Sequence, residues 1–283
     1  MLKKVDATLK LKRNEYKAQI DDLTLKIGDV QRRCKDANIP VMILLEGWSV
    51  AGKGSRIRTL IRALDPRGFE VFTIHKPNED ERLRPYMWRF WKRTPANGKI
   101  HVFDRSWYRA LMRGHDKHEM ELANPIKDVL SFERTLADSG VLIIKLFLHV
   151  TVKEQRRRLK SLADSPETAW RINEDDWVQN CRYDEVLNTF SKMLEDSDHD
   201  AAHWTVIEAN NGRFADVKIY RTVLEAMERA LDAKENPDNN VPKDIKLPVG
   251  TNSTSTLSAV NLNRSLERDE YSERLRTAQN EIG

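Results

Sequence analysis

The run Val41-Met-Ile-Leu-Leu-Glu46 passes directly into Gly47-Trp-Ser-Val-Ala-Gly52-Lys53-Gly54, and a helix-forming stretch follows from Ser55 to Leu64. A short apolar run suits a strand buried on both faces. GxxxxGK between a strand and a helix is the arrangement of a phosphate-binding loop. Glycines let successive backbone N–H groups turn towards one oxyanion, and the helix N-terminus adds positive potential. Lys53 adds a mobile positive charge for a transferring phosphate. Gly47, Ser49, Gly52, Gly54 and Ser55 are therefore candidate phosphate-binding positions, and Lys53 a candidate catalytic one. Gly54 stands where such loops carry the Ser or Thr whose hydroxyl binds Mg²⁺, and Ser55 offers a hydroxyl one position later. A plain structural turn has the same residues available. The strand–loop–helix setting favours the phosphate loop.

The chain continues to alternate strand and helix signals. Phe69 to His75, Ile100 to Phe103, Val141 to His149 and Trp204 to Glu208 read as strands. Helical spacing covers Asp80–Trp91, Ile126–Ser139, Lys153–Leu162, Asp176–Leu194 and Phe214–Leu231. Strands separated by helices build right-handed βαβ units around a parallel sheet, an α/β fold. Residues 4–35 carry apolar side chains three and four apart, as in an amphipathic helix.

Phe103-Asp104-Arg105-Ser106-Trp107-Tyr108 is the second motif. An Asp at the end of an apolar strand is where a P-loop enzyme places a metal-binding carboxylate, and hard oxygen ligands suit Mg²⁺. Arg105 has the fork to hold a phosphate by two parallel hydrogen bonds. The alternative is an Asp that caps the following helix and an Arg paired with a carboxylate. Beside the loop, Asp104 reads as catalytic and metal-binding, and Arg105 as catalytic. Lys76 ends the second strand on the side where open α/β sheets bind ligands. Arg156, Arg157 and Arg158 cannot all face one ligand from one helix. Arg171, beside Trp170, is either a lid residue over phosphates or a surface Arg. Trp88, Phe90, Trp91, Trp107 and Tyr108 suit a nucleotide stacking patch or the core. His115 and His118 show no metal spacing.

Lys and Arg exceed Asp and Glu by 48 to 44, so the formal net charge is only +4. That excess argues against nucleic acid but permits a local basic groove. No apolar run spans a bilayer, no signal-peptide core is present, and two isolated cysteines make no disulfide framework, so a cytoplasmic protein with no membrane partner is expected. Residues 233–258 turn polar and Pro/Asn/Ser/Thr-rich, like a linker. Beyond it, residues 266–283 align with 11–28 at a constant offset of 255, with six of 18 positions identical. They are either an unrelated charged helix or the start of a second copy. The expected organisation is an N-terminal helical extension (1–38), a P-loop domain (39–233) with a lid near 161–176, a linker (234–258) and a second repeat beginning at 259–283. A homo-oligomer or a second fused domain stays open.

The ordered motifs resemble the polyphosphate kinase 2 family over about residues 10–231. They include Glu46-Gly-Trp with Ala51-Gly-Lys-Gly54, Lys76-Pro with Glu79, Pro85-Tyr-Met-Trp-Arg-Phe-Trp91 and Phe103-Asp-Arg-Ser-Trp-Tyr108. Later come Phe132-Glu133, Lys145, Phe147-Leu148, Glu154-Gln155, Trp170-Arg171, Asp175-Asp-Trp177, Tyr183-Asp184 and Trp204-Thr205. The resemblance implies a thymidylate-kinase-like P-loop fold with a helical lid. It implies Mg²⁺-dependent, reversible phosphoryl transfer between inorganic polyphosphate and a nucleoside mono- or diphosphate. The repeat points to the fused subgroup that makes ADP from AMP. The sequence departs from the family pattern at Ser49, where an Asp is usual. It departs again after Tyr108, where Arg109 comes directly and is a further candidate phosphate-binding residue, and at Arg113, where a Glu is usual. A degenerate half that binds polyphosphate or acts as a scaffold is the second reading.

Overall fold

A computed structural model describes residues 2, 5–113, 125–236 and 265–282. The chain divides into two compact units, 1–239 and 240–283.

The first unit is built on five parallel strands: β1 (Val41–Gly47), β2 (Phe69–Thr73), β3 (Ile100–Asp104), β4 (Leu142–His149) and β5 (Trp204–Glu208). Their order in the sheet is β2-β3-β1-β4-β5. Every residue of β1 is buried, as its unbroken apolar run requires. β1 pairs with β3 on one side and β4 on the other. From β1 the chain crosses to β2, beyond β3; from β3 it crosses back to β4. The connections diverge at β1 and β3, so a crevice opens outside their carboxyl ends. Leu45 pairs with Asp104 across that edge, which sets the Asp-Arg-Ser motif beside the glycine-rich loop.

Helices flank the sheet: α1 (Arg13–Asp36), α2 (Lys53–Ile61), α3 (Glu79–Arg82), α4 (Trp88–Trp91), α5 (Tyr108–Arg113), α6 (Pro125–Asp138), α7 (Val152–Ala163), α8 (Glu174–Cys181), α9 (Tyr183–Asp196) and α10 (Gly212–Glu235). α1 buries Leu23, Ile27, Val30 and Cys34. Tyr16 on α1 donates to Asp216 on α10 at 3.3 Å, and Arg56 on α2 pairs with the same carboxylate at 2.6 Å. The amphipathic extension is therefore part of the folded unit and is tied to the loop helix.

Three sequence expectations change. The N-terminal helix begins at Arg13, not at residue 4. Helix over 80–91 is two short pieces, because Pro85 disfavours helical backbone in the residue before it. Helix over 176–194 is broken at Arg182, whose backbone (φ −99°, ψ 30°) leaves the helical region. Over the expected lid span 161–176, α7 runs through Ala163, a 3₁₀ turn covers Ala169–Arg171, and Asn173 caps α8. His115, His118 and most of the expected linker lie outside the described residues.

The second unit contributes α11 (Arg268–Ile282). Its first residue lies 255 positions after Arg13, the first residue of α1, so the repeat in sequence is also a repeat in helix start. Tyr271 and Leu275, the counterparts of Tyr16 and Ile20, are exposed.

Candidate functional site: a phosphate loop facing paired acidic and basic walls

Gly47 ends β1 at φ +132°, and a Cβ there would lie 2.3 Å from the carbonyl oxygen of Leu148. Only glycine fits so close to β4 with that backbone. Trp48 then turns into the core, stacked on Tyr183 at 4.0 Å with its indole N–H donated to His149 Nδ1 at 3.1 Å. Val50 (φ +50°) and Gly52 (φ +93°) carry the left-handed turns that let the chain enter α2. Arg158, on α7, donates to the carbonyls of Val50, Ala51, Ala209 and Asn210 at 2.6–3.2 Å. Arg157 pairs with Glu154 and Arg156 is exposed, so one of the three arginines braces the loop.

Lys53 is the first residue of α2. Its ammonium donates to the carbonyls of Gly47 at 3.0 Å and Trp48 at 2.9 Å. Burial pushes its pKa down, as does the positive charge of Arg105, while Asp104, Glu46 and Asp176 oppose the shift. Asp104, at the end of β3, aims Oδ2 at the start of α2, 3.9 Å from where a Gly54 Cβ would stand. Arg105 has φ +66°, an uncommon conformation for a non-glycine residue that over-determined functional turns retain. Ser106 turns back under it and donates its amide and hydroxyl to Glu46 Oε1 at 2.6 and 2.8 Å. Glu46 is fully buried, and that burial raises its pKa against the hydrogen bonds from Ser106.

Glu46, Lys53 and Arg105 open on a cavity of about 820 Å³, within the range of ligand sites. Of the candidate residues, Gly47, Ser49, Lys53, Lys76, Arg105 and Arg109 line it, and Asp104 is not among the lining residues. Arg109 is positioned by donating to the carbonyl of Ile74 at 2.8 Å. Gly52 and Gly54 shape the loop without lining the cavity, and Ser55 is exposed on α2. Arg171 is not brought to the cavity; it is exposed, 5.3 Å from the ring of its neighbour Trp170. Of the five candidate stacking aromatics, Phe90, Trp107 and Tyr108 belong to the core, with Trp107 edge-on against Phe132 at 5.0 Å, whereas Trp91 is exposed and Trp88 is half-buried.

The opposite wall contains the Asp175-Asp-Trp177 motif, to which sequence reasoning gave no site role. Asp175, Asp176, Val178 and Gln179 come from α8, and Arg182, Val186, Thr189 and Phe190 follow through α9. Ser49 donates its amide to Gln179 Oε1 at 2.8 Å and its hydroxyl to Asp176 Oδ1 at 2.5 Å. Gln155 on α7 also donates to Gln179 Oε1, at 2.8 Å. The signal that was available is the capping pattern Asn173-x-x-Asp176, which fixes where α8 starts and hence which side chains face the loop.

Comparison with known proteins decides the family. The model of polyphosphate kinase 2 (PPK2) matches residues 10–235. The chain belongs to that family. It is 31% identical over 272 residues to a polyphosphate:AMP phosphotransferase of Pseudomonas aeruginosa, covering 94% of this chain and 54% of the relative. An NDP-polyphosphate phosphotransferase 3 of Ruegeria pomeroyi is 31% identical over 220 residues, covering 76% of this chain and 72% of the relative. The chain spans about half the length of the polyphosphate:AMP phosphotransferases it matches, between 46% and 54%. A Pseudomonas aeruginosa PA01 crystal structure assigned to polyphosphate kinase 2 superposes with a TM-score of 0.77 at 31% identity, over 82% of this chain and 50% of that one. The polyphosphate kinase 2 structure from Arthrobacter aurescens TC1 shares the fold, with a TM-score of 0.75 at 24% identity over 81% of this chain and 86% of that one. Among the described residues, no helix is long and apolar enough to cross a membrane.

Proposed function

We propose that this chain transfers a phosphoryl group between inorganic polyphosphate and a nucleotide, with AMP the acceptor and ADP the product. The observation that carries the reading is that Lys53 and Arg105 share one cavity at the β1/β3 edge, with Asp104 Oδ2 set at the start of the loop helix, in a chain of this family. Polyphosphate and nucleotide are both anions. Lys76, Arg105 and Arg109 give the cavity the positive side that such ligands need. Lys53 exchanges its two loop carbonyls for phosphate oxygens, and its charge offsets the charge that builds on the transferring group. Arg105 adds a bidentate fork at the same place. Catalysis on this reading is positioning and electrostatic stabilisation, with no covalent protein intermediate.

Asp104 fits Mg²⁺: it is a hard oxygen donor, and one or two carboxylates plus substrate phosphates is the usual donor set of that ion. When bound, the metal supplies charge neutralisation between phosphates. Ser49 motivates the second reading, a polyphosphate-binding half without turnover. We read residues 39–233 as the catalytic unit, 161–176 as the segment that covers it, and 259–283 as a repeat of the N-terminal helix. A cytoplasmic setting suits the two free thiols, Cys34 and Cys181.

The test is ADP formation from polyphosphate, AMP and Mg²⁺ by the chain and by Lys53→Ala. Loss of turnover in the variant supports the transfer site. Full rate in Lys53→Ala removes Lys53 from the mechanism.

A further inference from the structure

The glycine-rich loop lacks a hydroxyl at Gly54, so the site must find its oxygen donors elsewhere. Asp104 is one. Glu46, Asp175, Asp176 and Glu185 are the carboxylates that line the cavity, and Asp176 is hydrogen-bonded to a loop side chain, Ser49. Asp176 sits in the first turn of α8, where Oδ2 accepts the backbone N–H of Asn173 at 2.9 Å, as a cap requires. Oδ1 is turned the other way, onto the Ser49 hydroxyl. A cap does not need that second contact.

Asp176 also lines the cavity, and its negative charge reaches the Lys53 ammonium. A carboxylate has about four lone-pair sites, so two hydrogen bonds leave capacity on the cavity side. Placed beside a loop that binds phosphates, a bare carboxylate repels them. The arrangement becomes favourable when a divalent cation lies between carboxylate and phosphate.

We propose that Asp176 is an oxygen donor to the divalent metal of the transfer site, supplied from α8 and held in place by Ser49. The proposal rests on the transfer reading and gives Ser49 a role: its hydroxyl orients a carboxylate that the loop itself does not carry. Ser49 is then a positioning residue, and Asp176 the group that meets the metal.

The probe is Mn²⁺ titrated into the full chain with inorganic tripolyphosphate, with bound ion followed by water-proton relaxation. No turnover is needed for this readout. Asp176→Asn is expected to weaken Mn²⁺ in the ternary complex by about tenfold or more. Without metal, the same variant should bind tripolyphosphate at least as tightly as the parent, because a repelling charge is gone. Ser49→Ala should shift Mn²⁺ affinity less than Asp176→Asn, since the carboxylate remains. Asn173→Ala, which loses the cap's side-chain half, should lower the melting temperature without the Mn²⁺ loss. Parent-like Mn²⁺ affinity in Asp176→Asn overturns the assignment. So does an equal loss in Asp176→Asn and Ser49→Ala, which would make the contact a strap between loop and α8. Lys53→Ala separates the two levels: if it retains tripolyphosphate binding, the transfer-site reading itself fails.

Discussion

Lys145 shows how much of the site's frame depends on one buried charge. It lies in the middle of β4, and both it and Glu133 are fully buried. All three ammonium hydrogens are used: Glu133 Oε2 at 2.9 Å, the Tyr108 hydroxyl at 3.1 Å and the Ser197 carbonyl at 2.7 Å. The charge also lies 5.4 Å from the Tyr108 ring centre and 5.1 Å from that of Trp204. Lys145→Met removes the cation and keeps much of the volume, leaving Glu133 charged in the core. Breaking a buried pair from one side costs about 3–5 kcal/mol. For a unit of this size that lowers Tm by roughly 10 °C. Glu133 keeps donors from Trp107 Nε1 at 2.9 Å and Tyr108 Oη at 2.7 Å, so the lower half of the range is expected. The assay is thermal and urea unfolding by circular dichroism. Lys145→Met with Glu133→Gln should lose less than the sum of the two single changes, because the stranded charge is gone. A Tm within about 3 °C of the parent for Lys145→Met would refute the reasoning.

Three further outcomes follow from the same geometry. Gly47→Ala should cost about 3 kcal/mol and damage phosphate binding, since its Cβ meets Leu148 backbone at 2.3 Å; unfolding and tripolyphosphate titration read both effects. Arg158→Met should raise KM for polyphosphate by about tenfold, because the Val50 and Ala51 carbonyls lose their donor and the loop its fixed shape; steady-state kinetics checks it. Burial raises the Glu133 pKa, but hydrogen bonds from His199, Tyr108 and Lys145 with the Lys145 charge outweigh it, leaving the folded value below the ordinary 4.5. That stabilisation is complete above the unfolded value and lost as pH falls through the folded one. Tm should therefore fall more steeply below about pH 4.5 in the parent than in Glu133→Gln.

The P-loop, the five strands and their parallel order were legible because each rests on a local pattern: an apolar run, a turn residue, a helical period. Asp104 was legible for the same reason, as a polar residue closing an apolar strand. Contacts between distant segments were not. Asp176 meets Ser49 across 127 residues, and Arg158 meets Val50 across 108. No spacing rule links such positions, since the sheet order and the break at Arg182 decide which faces of α8 and α9 turn inward. Arg171 was ambiguous for a related reason. A basic residue beside a tryptophan looks alike whether a lid closes it over a ligand or a 3₁₀ turn leaves it in solvent. The aromatics around Trp107 were ambiguous because burial is a property of the assembled sheet and helices.

The most direct test of the central claim is ADP formation from polyphosphate, AMP and Mg²⁺, with a parallel reaction in which ATP replaces polyphosphate as donor. The account predicts ADP from polyphosphate by the unaltered chain, none from Lys53→Ala, and no need for Ser49→Asp to gain activity. Activity that appears only in Ser49→Asp would contradict it and make the chain a polyphosphate-binding half. ADP formed from ATP and AMP alone would contradict it in another way, by making ATP the donor.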